Sequence, residues 1–127
     1  MTKTDAFSPD DSMNTEQCYL IADAAHPLVS GETLQEELIL YNLQDEARTS
    51  LYDKFYALTG IRLHRDYPVN NLSGGQKVIL MAYLCLYSPA EKICFIDLEH
   101  ALDSDNLTAI HNDVRISGKA INYKYSR

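Results

Sequence analysis

The chain has 127 residues, 46% of them hydrophobic and 23% charged, with a formal net charge of −7. That is the balance of a globular domain rather than a disordered segment, and the acidity argues against nucleic acid or anionic lipid as a partner. Three cysteines without a C-x-x-C pair point to neither a disulfide framework nor a zinc site.

Residues 1–16 are rich in Thr, Ser, Asp, Asn and Pro and read as a loose N-terminal arm. One domain is expected over residues 17–127. Its first element is a short buried strand over 17–22, followed by a loop broken at Pro27 and Gly31. Thr33 with Glu36 makes a capping box that opens a helix to about residue 41, with Leu34, Leu38 and Tyr41 on one face. A second helix is expected over 44–59, with Ala47, Leu51, Phe55 and Leu58 as its apolar stripe and Gly60 as its stop. Most acidic residues between Glu32 and Asp53 fall off these stripes and read as a solvated face. Residues 61–70 form a linker.

Asn71-Leu72-Ser73-Gly74-Gly75-Gln76 precedes the apolar run Lys77-Val78-Ile79-Leu80-Met81-Ala82-Tyr83-Leu84-Cys85-Leu86. Ser73 and Gln76 complete a second capping box, so a helix starts there and runs to about residue 87, ended by Ser88-Pro89. It is apolar nearly all round and should be deeply buried. Two glycines in its first turn leave the amides of residues 74–76 approachable, at the positive end of the helix dipole. A capped core helix is the plainer account of the same residues.

Lys92-Ile93-Cys94-Phe95-Ile96-Asp97 reads as a buried, parallel-type strand ending in a carboxylate. Residues 98–103 turn away from it, and 105–114 hold a short helix. Gly118-Lys119 starts a last strand over 120–125, whose partly polar alternation suits a sheet edge. The order implies an α/β domain with about three mostly parallel strands and right-handed crossovers. No apolar run approaches membrane-span length, and the N-terminus lacks a signal-peptide core, so direct membrane insertion is not expected and the cytoplasm is the expected location.

Asn71-Leu72-Ser73-Gly74-Gly75-Gln76 is similar to the LSGGQ signature of ATP-binding cassette (ABC) ATPases. Ile93-Cys94-Phe95-Ile96-Asp97 resembles their Walker B strand, and Ala101-Leu102-Asp103 their D-loop. Leu28-Val29-Ser30-Gly31 resembles the stretch after the Q-loop glutamine, with Ala24 at the glutamine position. The resemblance covers residues 17–127 and implies a truncated domain of that family, with 33–71 as its helical subdomain. Walker A, G-x-x-x-x-G-K-[ST], has no counterpart in these 127 residues. Glu99 stands one place late for the catalytic glutamate, the sole and weak catalytic candidate, and the switch-histidine position falls on Ser126. His111 is a substitute for that histidine or a surface residue; His26, His64 and His100 read as structural or solvated.

The resemblance therefore implies a module that contributes Ser73, Gly74, Gly75 and Gln76 in trans to nucleotide held by a Walker A-bearing partner, or that pairs with a second copy. An oligomer or complex is expected, because the last strand would be left with an open edge. No ATPase activity or cofactor is expected of the chain alone; Mg-ATP enters only through a composite site, where Asp97 would face the metal. The alternatives are one subunit of a split ATPase, with Glu99 orienting water, and a remnant without function.

Overall fold

The computed structural model describes residues 19–126; the expected arm over 1–16, together with Gln17 and Cys18 of the expected first strand, lies outside them. Three parallel strands form one sheet in the order β1-β2-β3: β1 (Leu20–Asp23), β2 (Lys92–Ile96) and β3 (Ala120–Lys124). Between β1 and β2 run α1 (Leu34–Leu40), α2 (Asp45–Thr59), a single 3-10 turn at Val69–Asn71 and α3 (Gly74–Tyr87). Between β2 and β3 run α4 (Leu98–Ala101) and α5 (Ser104–Ser117). The fold class is α/β, as the alternation of elements implies.

Every residue of α3 from Val78 to Leu86 is buried, so it is the core rod of the domain. It packs against α2, α4, α5 and β1, which is why its sequence carries no polar face. In the sheet, Leu20, Ile93 and Ile121 form one cross-strand row and Ala22, Phe95 and Tyr123 the next. Ala22, Ile93 and Phe95 on this face are sealed from water. Phe95 stacks on Tyr123, which meets His111 of α5 edge-on. On the opposite face Ile21 is 52% exposed.

β3 is mostly exposed and is an edge strand, as its alternation suggests. The stripes of α1 and α2 also match: Leu34, Leu38, Tyr41, Leu51 and Phe55 are buried, and Ala47 and Leu58 pack on the core. Gly60 takes the left-handed conformation that ends α2.

Four expectations need correction. The first strand is Leu20–Asp23 among the described residues, shifted towards Asp23, whose carboxylate caps the following turn through Ala25 N–H at 2.9 Å. Residues 98–103 are not all turn, because Leu98 is drawn into the core and winds the one-turn α4. α5 is longer than 105–114, since Asp103 caps its start and Gly118 is its left-handed stop rather than the opening of β3.

The fourth concerns Glu37, which is fully buried rather than on a solvated face. Its Oε1 accepts from Val29 N–H at 3.1 Å. Its Oε2 accepts from the N–H and hydroxyl of Ser30 at 2.8 and 2.6 Å and from Gly31 N–H at 3.3 Å. The glutamate thus pins the loop before α1 to that helix.

Candidate functional site

The start of α3 is built as its sequence requires. Ser73 Oγ accepts from Gln76 N–H at 3.2 Å, and Gln76 Oε1 accepts from Ser73 N–H at 2.9 Å. This closed box corrects one expectation: the Gln76 amide is held by Ser73, so only the Gly74 and Gly75 amides among the three are left approachable. Ser73 and Gly74 are exposed and Gly75 half-buried.

Beside them opens a cleft of about 380 Å³. Ser73, Gly75 and Gln76 line one wall, Ala101, Leu102, Asp103 and Asn106 another, and Leu58 and Thr59 at the end of α2 a third. The fold therefore brings the signature-like and D-loop-like stretches, distant in sequence, onto one polar cavity. α4 does this: buried Leu98 anchors it beneath α3, so Ala101 emerges against Gly75. Asp103 caps α5, its Oδ1 accepting from Asn106 N–H at 2.9 Å. Two helix starts thus face the cleft, with the Asp103 carboxylate offsetting part of their positive potential.

Gly74 and Gly75 are not demanded by the backbone. Unlike Gly31, Gly60 and Gly118, neither has a positive φ. A Cβ at Gly74 would meet nothing within 4 Å, and one at Gly75 would meet only the Ala101 carbonyl oxygen, at 3.8 Å. Glycine in a helix lowers stability relative to alanine, so this pair weakens the helix start without relieving any steric conflict.

Asp97, Glu99, Ala24 and Ser126 gather elsewhere, around the C-terminal edge of the sheet. Ala24 N–H donates to Ile96 O at 3.0 Å, beside Asp97. Asp97 has φ 60° and follows β2 directly. Its Oδ1 accepts from Ser126 N–H at 2.8 Å, and its Oδ2 from the Ser126 hydroxyl. These bonds from Ser126 hold the Asp97 carboxyl below the usual carboxylate range. The exposed Glu99 carboxylate beside the Tyr125 hydroxyl raises the Tyr125 phenol.

Both Asp97 oxygens accept a hydrogen bond from Ser126, which leaves each a further lone pair. Among the described residues no group of three or more His, Cys, Asp or Glu is arranged to hold a metal. His64, His100 and His111 each meet a tyrosine ring, Tyr67, Tyr125 and Tyr123 respectively.

Sequence reasoning missed Tyr125, and nothing in its immediate neighbours marks it. It also missed Glu37, for which there was a signal: residue 37 lies three after Leu34 and four before Tyr41, on the apolar stripe itself. Among the described residues no helix is long and apolar enough to cross a membrane. Comparison with models of known protein families gives no match to this chain, and no curated protein matches its sequence.

Proposed function

We propose that the chain is a degenerate cassette-type module that does not hydrolyse ATP itself and presents the start of α3 to nucleotide held by a Walker A-bearing partner. The observation that carries this reading is the pair Gly74 and Gly75. They weaken the helix start, the backbone does not require them, and they line or adjoin a polar cleft shared with Ala101 and Asp103. Absent side chains let a phosphate approach the two free amides and the Ser73 hydroxyl at the positive helix end.

Such a site binds an anion weakly by itself. The partner's loop and lysine supply most of the affinity, and this module adds donors that close over the terminal phosphate. Ser73 Oγ accepts from Gln76 N–H through a lone pair, so its hydroxyl proton stays free to donate to that phosphate without breaking the cap. One subunit of a split ATPase is the weaker reading, since Glu99 stands one place late for a catalytic glutamate and both Asp97 oxygens already accept from Ser126.

The test is capture from native extract with the immobilised chain, in Mg-ATP and in Mg-ADP, for wild type and Ser73→Arg. The reading predicts an ATP-dependent partner whose sequence carries G-x-x-x-x-G-K-[ST], lost with Ser73→Arg. A partner held equally by both forms, or one without that loop, contradicts it.

A further inference from the structure

β3 lies at one side of the sheet, and among the described residues no strand runs along its far side. Ala120 N–H donates to Glu91 O, and Lys124 O accepts from Asp97 N–H, both at 2.9 Å. In a strand the N–H and C=O of one residue point the same way, and that direction alternates along the chain. Ala120, Asn122 and Lys124 therefore turn their backbone groups to β2, and Ile121 and Tyr123 turn theirs outward. β1, at the other side, offers less. Ala24 N–H donates to Ile96 O, which leaves Ile21 and Asp23 as its outward residues, and the Asp23 carbonyl already accepts from His26 N–H. β3 pairs with β2 without interruption from Ala120 to Lys124, so it carries no bulge, and it contains no proline. Two of the devices that blunt a free edge are thus missing, and the one lysine stands at the strand's end.

We propose that β3 pairs antiparallel with β3 of a second copy, about a two-fold axis through Asn122, joining the two sheets into one. A pairing of a strand with itself closes at two copies, whereas β3 on β1 of the next copy would not. The register follows from which residues face outward. With the axis at Asn122, Ile121 and Tyr123 of the second copy exchange N–H and C=O, and so do Tyr123 and the second Ile121. Moving the axis to Tyr123 would set Ile121 against Tyr125, past the strand, where Ser126 N–H is tied to Asp97. Moving it to Ile121 would set Tyr123 against Lys119, whose N–H is held by Ser117 Oγ. Only the axis at Asn122 pairs both outward residues within β3.

The side chains suit that register. Ile121 meets the second Tyr123 on one face, an aliphatic–aromatic cross-strand pair. The Tyr123 ring is already ordered, stacked on Phe95 at 5.9 Å and met edge-on by His111 at 5.4 Å, so pairing immobilises little more. On the other face Asn122 stands opposite itself, and two side-chain amides can donate to one another. Lys124 falls opposite Ala120, which keeps the two lysines roughly 13 Å apart, beyond the screening length at physiological salt.

The test is amide hydrogen exchange on the wild-type chain beside sedimentation velocity, at concentrations from micromolar to near-millimolar. The chain should pass from monomer to dimer. As it does, the Ile121 and Tyr123 amides should slow several-fold, while those of Asn122 and Lys124, already turned to β2, change far less. Asn122→Asp and Asn122→Lys each set like charges face to face at the axis. Each alone should stay monomeric where wild type is dimeric, and mixing the two should restore a dimer. Asn122 is exposed, and unchanged Ile93 and Phe95 signals establish that the variants fold. Outward amides that exchange fast at every concentration overturn the pairing. Outward amides that are slow in a monomer overturn it too, because one chain then covers its own edge. A dimer formed by either charge variant alone as readily as by wild type, or a mixture that stays monomeric, places any association elsewhere. Neither nucleotide nor a Walker A-bearing partner enters this experiment, so the pairing of β3 and the proposed role of Ser73 stand or fall separately.

Discussion

A methyl group built on Gly75 would stand 3.8 Å from the carbonyl oxygen of Ala101, an ordinary van der Waals contact. The helix start and the end of α4 therefore face each other closely enough to form one cleft, yet not so closely that the fold demands glycine. Gly74→Ala and Gly75→Ala should each raise stability, by about 0.4–1 kcal/mol, by restricting the unfolded chain. Urea midpoints check this. A loss of stability with either variant would mean the glycines serve the fold, removing the main support for a phosphate-facing role.

Glu37 accepts four hydrogen bonds from residues 29–31 while fully buried. Glu37→Ala leaves those donors without their acceptor and should cost about 2–4 kcal/mol. Amides 29–31 should lose protection from hydrogen exchange before the rest of the domain. A change within about 0.5 kcal/mol, the range of an ordinary surface substitution, would refute the pinning role.

Burial pushes the Cys85 thiol up to about 12, from an ordinary 9.0. Burial also raises the Tyr41 and Tyr83 phenols, with Asp113 adding to the effect at Tyr83. In each case the folded state holds its proton more tightly than the unfolded chain. Their contribution is complete below about pH 9 and is lost as pH climbs towards 12. Urea midpoints should therefore fall from about pH 8 to about pH 10.5, and less steeply in Cys85→Ala. A midpoint that holds level over this window contradicts the assignment.

Tyr83 donates its hydroxyl to Asp113 Oδ2 at 2.5 Å, and Lys54 Nζ lies 3.0 Å from the same oxygen. One carboxylate on α5 thus joins α2 and α3. Tyr83→Phe should cost about 1–2 kcal/mol, towards the lower end because Lys54 and Asp113 are partly exposed. The loss should shrink in an Asp113→Asn background. Equal losses in both backgrounds would show that Tyr83 and Asp113 act independently.

The elements legible beforehand are those whose signals are local. Ser73 and Gln76 begin α3 and Ser88-Pro89 end it, and nothing distant overrides them. β2 announces itself by an unbroken apolar run. What escaped depends on contacts between distant segments. The length of α5 turned on whether Gly118 ended a helix or began a strand, and its left-handed φ decides for the helix. Asp97 stands at the N-cap of α4 but makes no side-chain cap bond, and the turn exists because Leu98 finds the core. At the candidate site, Ser73 and Asp103 could be named from their motifs, but not that one cleft joins them. Nor could Ser126 be seen on Asp97, since 29 residues separate them and neither has a distinctive pattern around it.

The central claim is that this chain contributes to a nucleotide site without holding nucleotide by itself. Calorimetric titration of Mg-ATP into the isolated chain tests it most directly. No saturable heat is predicted, because the two free amides and one hydroxyl at α3 are too few to hold a triphosphate alone. Saturable binding with a Kd on the order of micromolar, about −8 kcal/mol, would contradict it.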